Sequence, residues 1–136
     1  MNSSNLDLRG KEMLSRKLYA AFITSVIGFF IAPLLFEFGT GYNLYIGLAV
    51  SLVTVPILFV GGVLSSLAIE HYSKSDALLL SYFKHLVCAL ICVFLFTIFD
   101  GSLILVALVI GIFYVTIFFI VDCLTKYVEA RSTLFN

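Results

Sequence analysis

EHYSKSDALLLSYFKH, residues 70–85, is the one stretch of this sequence that gathers acids, bases and both histidines between two long apolar tracts. As a polar hinge it divides the chain into two membrane hairpins, giving an all-α polytopic bundle of four transmembrane helices arranged as two in-out-in hairpins. The composition supports this reading, since 62% of the residues are apolar and only 12% charged, well outside the soluble norm. A water-soluble fold of this size has too small a core to hide that much apolar surface.

Immediately after the hinge, Leu86 to Phe99 would span only about 21 Å, too short to cross a bilayer. Span 3 is therefore expected over about residues 80–99, taking Lys84 and His85 with it. A charge at the bilayer centre costs roughly 2.5 to 3.5 kcal/mol on insertion scales, but a lysine one turn inside can snorkel to the headgroups. Lys84 is thus a candidate interfacial anchor, with Tyr82 as its interfacial ring and Ser75 or Asp76 able to cap an earlier turn. Asp100, Gly101 and Ser102 then form a minimal turn: Gly101 is expected to end span 3 in the left-handed conformation and Ser102 to cap span 4. Span 4 covers about residues 103–121, with Ala107 and Gly111 as its small pair and Asp122 at its exit. The tail, residues 123–136, is short and mixed in charge.

Before the hinge, span 2 extends over about residues 44–69 without a charge. Its length of roughly 39 Å exceeds the apolar slab, so it must tilt, kink or protrude. Pro56 and the pair Gly61 and Gly62 mark where a kink costs least. Gly61 with Ser65, and Gly62 with Ser66, form a small-x-x-x-small face. A helix broken by Pro and Gly is also how transporters expose carbonyls to substrate; the competing reading is a packing kink whose backbone is satisfied by Thr54 or a neighbouring helix. The turn GTGYN, residues 39–43, offers two glycines and Asn43 as a helix cap. Span 1, residues 18–36, measures about 28 Å, close to the hydrocarbon thickness. Ala20, Thr24, Gly28 and Ala32 recur every fourth residue and allow a second helix to approach, within this chain or in another copy. Pro33 is a candidate bend, since its ring clashes toward Phe29. Residues 1–17 form a basic tail, read either as a short surface helix or as a frayed end. With Pro33 after Ala32 and no small-x-small site, the first apolar run is expected to be an uncleaved anchor.

The formal net charge is zero, so no attraction to nucleic acid is implied, but its distribution is informative. Alternating sides put both tails and the hinge on one face, where they hold all eight Lys and Arg residues, while the opposite turns carry Glu37 and Asp100. The positive-inside rule then makes both termini cytoplasmic. Tyr19, Tyr72, Tyr82 and Tyr127 fall at the inner interface and Tyr42 and Tyr45 at the outer, leaving Tyr114 embedded. Its hydroxyl is expected to bond a carbonyl, Ser or Thr on a neighbouring span.

No catalytic, cofactor or metal constellation emerges. Glu70, His71, His85, Asp76 and the three cysteines match no ligand spacing. Cys88 and Cys92 share a face of span 3 and read as small packing residues, and Cys123 suits either acylation or ordinary packing. No His or Lys is expected at the depth of Ser51, Ser65 or Ser66, so a serine nucleophile lacks a base. Small multidrug exporters are similar to this chain in span count and size, but their membrane-embedded glutamate of the first span has no equivalent, since Glu37 terminates that span. In span layout, short outer turns and basic N-terminal tail, the chain resembles the small uncharacterised four-span membrane proteins of Gram-positive bacteria and their prophages. That resemblance implies a plasma-membrane location and leaves the activity open. The expected function is a non-enzymatic module, or accessory protein, that binds another membrane protein or itself through the inner face led by residues 70–76. The alternative is a small transporter or pore built by oligomerisation around the small-residue faces of spans 1 and 2.

Overall fold

The computed structural model describes residues 3–36, 41–72, 78–98 and 101–132, and its described segments are helical apart from short turns, with no strand among them. Helix α1 covers Ser3–Leu35, α2 Leu44–Ile57, α3 Val63–Tyr72, α4 Leu78–Thr97 and α5 Ile104–Ser132. The segments Gly10–Leu35, Leu44–Tyr72, Leu78–Leu95 and Ile104–Arg131 are four helices long and apolar enough to cross a membrane. Around the bundle, α1 packs against α2 and α5, α5 against α4, and α4 against α3, which returns to α1. The shared core joins Ala20 and Ala21 of α1, Val63 of α3 and Tyr114, Phe118 and Val121 of α5. Large apolar side chains such as Phe22, Leu52, Phe94 and Leu105 are exposed on the outside of the bundle.

The second candidate span is one continuous helical path with a wide turn in it. A π-helical turn, Leu58–Gly62, links α2 to α3 directly after Pro56, and the Val63 N–H reaches back to the Leu58 carbonyl. Pro56 brings no N–H to the ladder, and a single π turn absorbs the extra residue, rotating the helix beyond it by about 100°. The Thr54 hydroxyl donates to the Val50 carbonyl one turn back. At the start of α2, Asn43 accepts the Tyr45 N–H at 2.9 Å, and Gly41 before it takes φ +79°.

Three local expectations change. Gly101 is not left-handed; Gly101–Leu103 is a 3₁₀ turn leading straight into α5. Residues 10–17 are not set apart from span 1, because α1 runs unbroken through Arg16 and Lys17. Likewise α5 continues past Asp122 to Ser132. The physical reason is shared: Lys17 and Asp122 satisfy each other inside the bundle, so neither charge has to end its helix. Glu37, the Ser75 and Asp76 cap and Asp100 lie outside the described residues.

Pro33 sits inside α1 and is buried. It has no N–H for the Phe29 carbonyl one turn back. Gly47 of α2 packs so tightly against that carbonyl that a Cβ there would overlap it, with the Pro33 ring alongside. At the same end the Tyr42 hydroxyl donates to the Phe30 carbonyl at 2.8 Å.

Candidate functional site

At the end of the bundle opposite Pro33, four helices contribute polar side chains to one cluster. Arg16 and Lys17 are consecutive residues of α1, Ser66 and Glu70 lie one turn apart on α3, and Asp122, Lys126 and Glu129 follow one face of α5. Lys17 Nζ donates to Asp122 Oδ2 and, at 2.8 Å, to Glu70 Oε2. Arg16 Nη2 reaches both Glu70 oxygens at 2.6 and 2.7 Å, while its Nη1 bonds Glu129 Oε2 at 3.1 Å. Lys126 stands 3.5 Å from Glu70 Oε1. Lys17 is only 2% exposed and Asp122 only 7%, so both charges are withdrawn from solvent and depend on each other. Arg16 Nε and Asp122 Oδ1 are 3.6 Å apart, and neither has a hydrogen-bond partner among the described residues.

Helix α4 joins the cluster through His85. Its Nδ1 lies 2.8 Å from the Ser81 carbonyl and its Nε2 3.1 Å from the Ser66 hydroxyl. A carbonyl only accepts, so the neutral ring carries its proton on Nδ1 and Nε2 accepts from Ser66. The ring also packs on Phe118 and Phe119 of α5. The expectation that no base stands at the depth of Ser66 is therefore corrected. His85 is about 10 Å into α4 from Leu78 and Ser66 about 9 Å from the end of α3, so the two helices bring them level. Nearby, the Tyr82 and Thr116 hydroxyls meet at 3.0 Å, tying α4 to α5.

Two cavities flank His85. An apolar one of about 290 Å³ lies between the α2–α3 path, α4 and α5, with walls that include Thr54, Gly61, Cys92, Ala107 and Val115. A second, half-open and more polar, of about 250 Å³, is lined by Lys17, Ser66, Glu70, Asp122 and Lys126 together with Ile69, Leu78 and Phe119. Of the described residues, His85 alone lines both.

The residues singled out by spacing fall in distinct places. Ala20, Thr24, Gly28 and Ala32 are all buried, and the Thr24 hydroxyl donates to the Ala20 carbonyl. A Cβ on Gly28 would overlap the Tyr114 ring. The stripe on α1 is thus covered within a single chain, with Tyr114 of α5 lying over Gly28. Gly61, Gly62 and Ser65 border the apolar cavity, whereas Ser66 is fully buried against His85. Ala107 and Gly111 line the same cavity, and a Cβ on Gly111 would press on Val93. Lys84 is half-buried in α4. The Tyr114 hydroxyl, expected to find a carbonyl or hydroxyl, is buried with no hydrogen-bond partner among the described residues, because its ring lies against Gly28, which offers no side chain. Cys88 and Cys92 are free, half-buried thiols on the apolar cavity, and Cys123 is a free thiol on the polar one. No group of His, Cys, Asp and Glu among the described residues has metal-binding geometry.

Spacing along the chain did not reveal the ion cluster, although a signal was present. Lys17, Glu70 and Asp122 are each the charge that bounds an apolar tract, and alternating spans place all three at the same end. Charges at equal depth on neighbouring helices are natural partners. The fold and site define an all-helical bundle with four candidate membrane spans, a buried ionic cluster at one end and an apolar cavity between its helices. No family model, curated protein or solved structure matches the chain.

Proposed function

We propose that this chain is a multi-pass plasma-membrane protein of bacterial type, built of two in-out-in hairpins with both termini cytoplasmic, that binds a small apolar molecule among its own helices as an accessory or carrier protein. The apolar cavity of about 290 Å³ carries this reading, because its size approaches that of small-molecule sites and it is a half-open cleft whose apolar walls come from helices of one chain. A second copy has no access to the α1 stripe, which favours a site within one chain over a pore between copies. Docking of another protein at the charged end is less well supported, since Arg16, Lys17, Glu70 and Asp122 turn into the bundle and pair there. A binding role fits the Ser66–His85 pair better than catalysis. Both residues lie inside helices, whose backbone N–H groups are taken up by the helical ladder and so are not available to receive a developing oxyanion.

The test is binding of the fluorescent apolar probe N-phenyl-1-naphthylamine to purified protein in a non-fluorescent detergent. Saturable enhancement is expected in the wild type, and Ala89→Leu, which adds side-chain bulk to the cavity wall, is expected to weaken it at least about tenfold without lowering the unfolding temperature. Equal binding by the two proteins would place the probe elsewhere. The cytoplasmic placement rests on all eight Lys and Arg residues falling, along the sequence, in the two tails and the hinge. A cysteine-free variant carrying Ser73→Cys should react with an impermeant maleimide only in inverted vesicles; reaction in intact cells would reverse the orientation.

A further inference from the structure

The apolar cavity does not close on an apolar wall at the charged end. There it meets His85, which also lines the polar cavity of about 250 Å³. The polar wall carries Lys17 and Lys126 against Glu70 and Asp122, two cations and two anions. We propose that the molecule bound is a single-chain amphiphile with a zwitterionic head, its head in the polar cavity and its tail passing His85 into the apolar one; this rests on the cavity reading above.

Charge balance selects the head. The wall is already neutral in sum, and Arg16 and Glu129 beside it add one charge of each sign, so a head of single sign would leave the site with a net charge. A neutral head gains nothing from charges that already pair with one another and with Arg16 behind them. A head with one cation and one anion can exchange partners with the wall and leave every charge matched.

The wall also indicates where that exchange takes place. Lys17 is enclosed, donating to both Asp122 and Glu70, and serves as a fixed part of the structure. Lys126 differs: its side chain is 62% exposed and its ammonium stands 3.5 Å from Glu70 Oε1, a long and solvated pair. The cationic end of the head takes the place of Lys126 beside Glu70, and the anionic end binds the released ammonium. Ionic contacts alone rearrange, with no covalent change. At the neck, His85 is held on one side by the Ser81 carbonyl and Ser66 hydroxyl and packs on Phe118 and Phe119, so the tail slides along a fixed ring.

The test is displacement of N-phenyl-1-naphthylamine from wild-type protein by four dodecyl compounds: dodecylphosphocholine, dodecyl phosphate, dodecyltrimethylammonium and dodecanol. The zwitterion is expected to displace the probe at concentrations about tenfold below the other three. In Lys126→Ala that advantage is expected to shrink to within about twofold while displacement by dodecanol is unchanged. Equal displacement by all four, or preference for a head of single charge, overturns the zwitterion and leaves the apolar site standing. An advantage that survives Lys126→Ala overturns the exchange at Glu70. Failure of every compound, or of the probe itself, removes the site and the head together.

Discussion

Lys17→Ala is expected to lower the unfolding free energy by about 3–5 kcal/mol, the cost of stranding a buried charge. Without the Lys17 ammonium, the Asp122 carboxylate keeps, among the described residues, only Arg16 Nε as an ionic partner, at 3.6 Å, with Asp122 7% exposed. The reciprocal change is milder. Asp122→Ala leaves Lys17 its 2.8 Å contact with Glu70, so the expected loss is about 2 kcal/mol or less, the range for a buried polar group that keeps one good partner. Glu129→Ala removes the outermost arm of the cluster, whose side chain is 46% exposed, and is expected to cost no more than about 1 kcal/mol. Replacing both partners, Lys17→Met with Asp122→Leu, should recover much of the loss, since it withdraws the charges together instead of orphaning one. Chemical unfolding in mixed detergent micelles measures all four. A Lys17→Ala protein as stable as the wild type would mean that the cluster is solvated and does not hold α1, α3 and α5 together.

Gly47→Ala is expected to destabilise the protein although it replaces glycine inside a helix. In an open helix this exchange gains up to about 1 kcal/mol, because alanine loses less backbone freedom on folding. At Gly47 the added methyl meets the Phe29 carbonyl oxygen, an atom of another helix's backbone that cannot rotate away. Overpacking of this kind costs about 1–3 kcal/mol, enough to reverse the propensity gain. Gly10→Ala is the internal comparison, because nothing lies within 4 Å of a Cβ added there. It should be neutral or stabilising, and the two variants should shift the same unfolding transition in opposite directions. If both stabilise, α1 and α2 do not approach at the Phe29–Gly47 crossing.

The sequence by itself determined the class of architecture. Apolar tracts of spanning length, separated by short polar segments, led to four long apolar helices, because burial of that much apolar surface is a property of composition and length. It also located the irregular part of the second span, since Pro56 cannot join the helical ladder and two glycines follow close behind. Asn43 was recognisable as a cap because a cap depends only on neighbours in the chain. The tertiary structure alone decided what meets what. Depth along a helix can be counted from the sequence, but the rotation of each helix about its axis cannot, and the π turn after Pro56 changes that rotation partway along the second span. That rotation sets Ser66 against His85 while its neighbour Ser65 faces the apolar cavity. It turns Lys17, Glu70 and Asp122 toward one another, although each reads in the chain as the end of a span. Gly47 shows the same limit, since nothing in its own helix signals that a carbonyl freed by Pro33 of α1 waits one atom away.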